Sequence, residues 1–169
     1  MTKKSIKAGI ISDANVLIDY AKSAPDLPRL ICNHIQKLYI PLPVLKEVDQ
    51  LSIDEVNKLG IEIIEPTLSQ IIQVSKIRAD KPSLSGQDAI CFIMARDNDW
   101  TCLTNDKPLR SVCSSHKISC IWGLEIMLLL VSTGVITAIK AYEIACDIQS
   151  KNKYIKLQTL ELFKKKLGL

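Results

Sequence analysis

Apolar residues recur along the chain in short blocks of two kinds, and each strand-like run is followed by residues at helical spacing. Residues 8–12 form the first such run, and Asp13-Ala14-Asn15 closes it before Val16, Leu17, Tyr20 and Ala21 take up a helical pattern. Asp13 thus occupies a strand end. Past the Pro25-Asp26 break a helix is predicted over 27–36, then a strand at Leu38-Tyr39-Ile40, with Pro41-Leu42-Pro43 as its exit turn. Val44, Leu45, Val48 and Leu51 predict a short helix with one apolar face, and Glu47 falls on that face, a side that exposed glutamates avoid. A further short helix over 52–59 stops at Gly60. Ile61, Ile63 and Ile64 make a third strand ended by Pro66. Ile71, Ile72, Val74, Ser75 and Ile77 make a helix, and Asp80-Lys81-Pro82-Ser83 a loop.

The stretch 85–110, SGQDAICFIMARDNDWTCLTNDKPLR, organises the rest. Ser85 caps a helix whose first turn holds Asp88, and Ala89, Ile90, Phe92, Ile93, Met94 and Ala95 form a stripe wide enough to require burial. A carboxylate facing that interior is costly unless a cation or hydrogen bonds meet it, and a metal ion is one such partner. The alternative is an ordinary helix N-terminal aspartate. After the Asn98-Asp99 turn, Thr101-Cys102-Leu103-Thr104 reads as a buried strand, and Asn105-Asp106 as its handover to a helix containing Pro108. Ligands of open parallel sheets bind at such carboxyl ends, although Asn-Asp before Lys107-Pro108-Leu109 is equally helix-capping chemistry.

A helix to about His116, a fifth strand over 117–122 and the Gly123 break complete the alternation. Five strands alternating with helices predict an α/β fold, a three-layer α/β/α sandwich around a parallel sheet, because parallel neighbours need crossover connections that helices usually fill. Residues 124–132 and 137–149 read as a helical pair hinged at Gly134, and 157–167 as a last helix with Leu157, Leu160, Phe163 and Leu167 on one side. The 169 residues are read as a single domain, with a core over about 7–123 and a helical C-terminal extension over about 124–169.

Composition changes this picture little: 47% apolar and 24% charged residues are those of an ordinary globule. Six cysteines at scattered spacings, with no CxxC pair, read as reduced core thiols of a cytoplasmic protein and argue against a cysteine zinc site. The first residues show no signal-peptide pattern, and the longest apolar run, 126–131, is too short to span a membrane. Of the net charge of +4, residues 151–169 carry six Lys and one Glu, +5, which leaves −1 for the other 150 residues. That basic tail is either a solvated helix terminus or a patch meeting RNA or a partner.

Four acids stand out: Asp13, Glu47, Asp88 and Asp106. His34 and His116, the only histidines, read as surface residues, and oxygen-only ligands suit Mg²⁺ or Mn²⁺. With this pattern assembled, the chain resembles the PIN-domain ribonucleases. IISDANVLIDY resembles the family's first-aspartate strand, PVLKEV its glutamate helix, SGQDAICFIMAR its third-acid helix and LTNDKPLR its fourth-acid turn, while GLEIMLLLVSTGVI and residues 154–167 are similar to its helical C-terminus. The resemblance implies strand order 3-2-1-4-5. It also implies hydrolysis of RNA phosphodiesters with Mg²⁺ or Mn²⁺, by in-line attack of water, leaving 5′-phosphate and 3′-hydroxyl ends. Asp13 and Asp106 match positions that ligate the first metal, Asp88 joins them, and Glu47 supports a ligand water or a second ion. Thr104 and Asn105 either orient water or a ligand carboxylate or only tie the strand end. Asp19, Asp97 and Asp99 read as solvated acids, and Ser85 as a cap rather than a phosphate binder.

Two other readings compete. An aspartate ending the first strand loosely resembles the haloacid-dehalogenase phosphatases, but Asn15 stands where that family has a second aspartate, and Asn cannot protonate a leaving group. An idle RNA-binding or protein-binding module would need a lost acid, and none of the four is missing. Small prokaryotic PIN proteins resemble toxins held by an antitoxin protein, often as homodimers, so an antitoxin partner and a homodimer are further expectations.

Overall fold

The computed structural model describes residues 6–169; the first five, including the basic pair of the N-terminal segment, lie outside the described residues. Five strands form one all-parallel sheet in the order β3-β2-β1-β4-β5. These are β1 (Ile10–Ser12), β2 (Leu38–Pro41), β3 (Glu62–Ile64), β4 (Thr101–Leu103) and β5 (Cys120–Ile121). The chain lays β2 and β3 to one side of β1, then crosses over to place β4 on the other. The strand order therefore reverses between β1 and β4, where open α/β sheets leave a crevice at their carboxyl ends. Ile10, Ile11 and Ser12 pair in register with Thr101, Cys102 and Leu103 and are fully buried, so the crevice has a rigid floor.

Helices cover both faces, giving a three-layer sandwich. On one side α6 (Gly86–Asp97) packs on β1 and β4 and is flanked by α5 (Leu68–Asp80) and α7 (Lys107–Ser115). Of its expected stripe, Ala89, Phe92, Ile93, Met94 and Ala95 are buried and Ile90 is half-buried, while Cys91, outside the stripe as read, is buried with them. A second group holds α1 (Ala14–Ser23), α2 (Leu27–His34), α8 (Gly123–Ser132), α9 (Ala138–Lys151) and α10 (Leu157–Leu167), with α9 against both α1 and α10. One hydrophobic cluster runs from Ile10 to Phe163, so the C-terminal helices share the core of the sheet. The buried Tyr20 hydroxyl donates to the Gly123 carbonyl at 2.6 Å and fixes the start of α8 against α1.

Two expected elements differ. The helix read over Val44 to Leu51 is one turn, α3 (Leu42–Leu45). The chain continues through i→i+3 bonds, Glu47 to Val44 at 3.0 Å and Val48 to Leu45 at 2.9 Å. That tighter winding keeps Val44, Leu45 and Val48 buried but turns Glu47 off the apolar face, where it is exposed. The fifth strand is shorter than 117–122, because Lys117 adopts a left-handed φ of 58° and the Ile118 amide still bonds back to Cys113 at the end of α7. The helix over 52–59 forms as α4 (Ile53–Lys58), closed by a capping box between Ser52 and Glu55.

Gly9 leads into β1 beneath the stacked rings of Tyr39 and Trp100, whose centroids are 4.0 Å apart. A Cβ there would lie 2.7 Å from the Trp100 ring and 2.8 Å from the Tyr39 ring. Gly9→Ala is expected to destabilise the protein by about 1–3 kcal/mol through overpacking, read as a lower urea midpoint with unchanged slope.

Candidate active site

The carboxyl ends of β1 and β4 place Asp13 and Asp106 side by side, joined through one hydroxyl. The Asp13 amide extends the ladder by donating to Leu103 O at 3.1 Å, and its side chain is only 2% exposed. One carboxylate oxygen, Oδ1, accepts from the Val16 amide at 2.9 Å and caps α1. The other, Oδ2, accepts the Thr104 hydroxyl. Thr104 is fully buried, and its Oγ1 accepts in turn from the Asp106 amide at 2.9 Å. Asp106, half-buried, caps α7 through Oδ1 to the Leu109 amide at 2.7 Å.

Asp88 enters from the first turn of α6. It is half-buried rather than set in the packed stripe, because the residues facing the core begin at Ala89. The interior placement expected for it is thus corrected: its Oδ2 accepts from the Ser85 amide at 3.1 Å and the Ser85 hydroxyl at 2.7 Å, a capping box. Ser85 is a cap, as read. Asp13, Glu47 and Asp88 line one cavity of about 240 Å³, with Asn15, Ser85 and the buried Cys91 among its other walls. Glu47 thus reaches the cavity from an exposed turn, not from a helix face.

The electrostatics are those of crowded anions. Burial pushes the Asp13 carboxyl up to about 7, against hydrogen bonds from Thr104 and Val16 and with added repulsion from Asp88 and Asp106. Burial also raises Asp106, with Asp88 adding to it while the Leu109 amide and Arg110 oppose. Glu47 is raised by burial and by the charge of Asp88. Cys91 is driven well above its ordinary value by burial and then by Asp13 and Asp88, so it floors the cavity as a neutral thiol.

Whether these residues suit a divalent ion turns on their oxygens. Among the described residues no three His, Cys, Asp or Glu side chains are arranged to hold a metal as they stand, and each of the three aspartates directs an oxygen to a helix cap. Asp88 Oδ1 and Asp106 Oδ2 take no part in those caps, and each Asp13 oxygen keeps a second lone pair. An all-oxygen set in which the charge of Asp88 raises the pKa of both Asp13 and Asp106 fits Mg²⁺ or Mn²⁺.

The neighbouring polar residues divide differently from expectation. Thr104 does orient a carboxylate. Asn105 does not: its Oδ1 accepts from the Gly123 amide at 3.0 Å and its Nδ2 faces Asp19 at 3.5 Å, so it ties the strand end to α8 and α1. Asp19, read as solvated, is 8% exposed and accepts from Asn152 Nδ2 through both oxygens at 3.0 Å. Its position on the polar side of α1 gave no sign of a partner 133 residues away. Asp97 accepts from Gln70 and Arg96 at the end of α6, and Asp99, at φ 52°, pairs with Lys7 at 3.3 Å. Both histidines are exposed, as read.

No protein-family model matches the sequence, and no curated protein does. Among solved structures the chain is similar to PAE2754 from Pyrobaculum aerophilum, known from a crystal structure, at 18% identity and a TM-score of 0.51 over 78% of this chain and all of that one. The likeness is one of fold, a five-stranded parallel α/β sandwich. No helix among the described residues is long and apolar enough to cross a membrane.

Proposed function

We propose that the chain is a metal-dependent ribonuclease of the PIN type that hydrolyses RNA phosphodiester bonds at the carboxyl ends of β1 and β4. The observation that carries this reading is the buried Asp13, with a carboxyl pKa of about 7, wired through Thr104 to Asp106 and repelled by Asp88. Purely structural caps sit at exposed helix ends, where water stabilises their charge; a capping carboxylate 2% exposed beside two others calls for a cation. Asp13, Asp88 and Asp106 would hold Mg²⁺ or Mn²⁺. When bound, the ion supplies Lewis-acid stabilisation of charge on a phosphate and makes water a stronger acid. Thr104 holds the Asp13 carboxylate in one orientation, while Glu47, at the open side with a raised pKa, is placed to take a proton from an attacking water.

One specific observation supports a second reading, an idle RNA-binding module: all three aspartates already serve helix caps. A cleavage assay separates the two. Purified protein with single-stranded RNA and Mn²⁺ or Mg²⁺ is expected to yield 5′-phosphate products, with none in EDTA. Asp88→Asn, which keeps an oxygen for the Ser85 cap, is expected to lose more than about tenfold in rate. Cleavage that persists in EDTA, or at full rate in Asp88→Asn, counts against the nuclease reading. A toxin role, with an antitoxin partner and a homodimeric state, is the biological extension of this proposal.

A further inference from the structure

A second, larger cavity of about 580 Å³ opens beside the acidic one, and Asn15 lines both. Its walls come from the start of α7, from Trp122 and Leu124, and from residues 152–159 of the C-terminal extension. Three cationic side chains, Lys107, Arg110 and Lys156, line it against the single acid Asp106. Among the described residues none of the three is in a salt bridge. The Arg110 guanidinium instead lies 3.7 Å from the Trp122 ring centroid while its Nε donates to the Asp106 carbonyl at 3.3 Å, which leaves its Nη groups for further hydrogen bonds.

Tyr154, on the same wall, is 95% exposed, yet the turn that carries it is fixed. Its amide donates to Asn152 Oδ1 at 3.0 Å, Asn152 is held by Asp19, and the next residue, Ile155, is buried at 8%. An aromatic ring displayed on an anchored turn, lining the same cavity as a stacked Arg–Trp pair and two lysines, has the chemistry that binds a flexible polyanion with π-faces.

Resting on the ribonuclease reading, we propose that this groove is the path by which single-stranded RNA reaches the acidic cavity. A base stacks on Tyr154, and Lys107, Arg110 and Lys156 meet successive phosphates. The shared lining residue Asn15, and three cations in a cavity that borders the repelling carboxylates, favour RNA over an acidic protein segment. The C-terminal extension is then part of the substrate site, with Asp19 and Asn152 as positioning residues that hold its turn.

The test is fluorescence anisotropy with the full chain and a labelled single-stranded RNA of about 16 nucleotides in EDTA, so that binding is read without cleavage. Tyr154→Ala is expected to weaken binding roughly 5- to 100-fold. Lys156→Ala is expected to lower the slope of log affinity against log salt by about 0.7. Both side chains are exposed, so unchanged thermal melts are expected and keep the result interpretable. Wild-type RNA binding with neither variant altered overturns the groove while leaving the nuclease reading intact, and competition by an acidic peptide but not by RNA assigns the groove to a protein and overturns it too. If the variants lose binding while the wild type shows no cleavage in metal, the groove stands and the nuclease reading falls.

Discussion

Asp13→Asn is expected to abolish metal-dependent RNA cleavage, by more than about a hundredfold, since altering merely the outer partners of a metal ligand costs 10–100-fold. The same substitution is expected to make the metal-free protein more stable at alkaline pH. Asn keeps most of the local bonds: Oδ1 can still accept from Val16, and Nδ2 can donate to a lone pair of the Thr104 hydroxyl, whose own proton then loses its acceptor at a cost of about 1–3 kcal/mol. What disappears is a charge held out of water. The rise of the carboxyl pKa from 3.8 to about 7 corresponds to about 4 kcal/mol at its upper limit, so after the loss at Thr104 a gain of about 1–3 kcal/mol is expected in denaturant unfolding with EDTA near pH 8. Loss of activity with gain of stability is the signature of a group kept for function. If the variant cleaves RNA like the wild type, or is less stable than it, Asp13 is a structural cap.

Much of this architecture was legible because the central strands, β1 and β4, are buried on both faces. Ile10-Ile11 and Cys102-Leu103 are apolar and fully buried, and each run ends at a polar pair that the backbone uses to leave the sheet. Strand ends were therefore the readable sites, and Asp13 and Asp106 were found there. The strand order was not written in any periodicity; it followed from resemblance, and the parallel pairing of β1 with both β2 and β4 bears it out.

Glu47 and Asp88 show where pattern misleads. Both were singled out for lying among apolar residues, yet neither is buried. A change from α-helical winding to i→i+3 turns rotates Glu47 off the face assigned to it, and a helix begins burying its stripe only after the turn that holds Asp88. Asp13, the most deeply buried acid among the described residues, stood out by its place at a strand end and not by any sign of burial. Its burial comes from the flanking ladder and from Thr104, 91 residues away. Long-range polar pairs such as Asp19 with Asn152 leave no local signal, because each partner looks like a surface residue in its own helix or turn.

The metal-free protein is expected to lose stability as pH rises from about 4 to about 7 and to level off above, the reverse of proteins whose carboxylates are salt-bridged. The sign follows from Asp13. Its folded pKa of about 7 lies above the ordinary 3.8, so the folded state binds the proton more tightly, and that stabilisation is complete below 3.8 and lost as pH passes through 7. Asp106 and Glu47, also raised, add to the same trend. The exposed Glu55 and Asp147 are lowered by their hydrogen bonds to Ser52 and Lys151 and act oppositely, with effect confined to more acid conditions. A divalent ion competes with the proton for the same oxygens. Mg²⁺ or Mn²⁺ at about a hundred times its dissociation constant should therefore raise the melting temperature by roughly 5–10 °C near pH 8. The increment should shrink near pH 5.5, where Asp13 is protonated, and vanish in Asp13→Asn. Thermal melts across pH, with and without metal, measure both. An equal metal effect in wild type and variant would place the ion elsewhere on the protein, and a wild-type stability that rises through pH 4 to 7 would mean that Asp13 is ionised and stabilised by the protein alone.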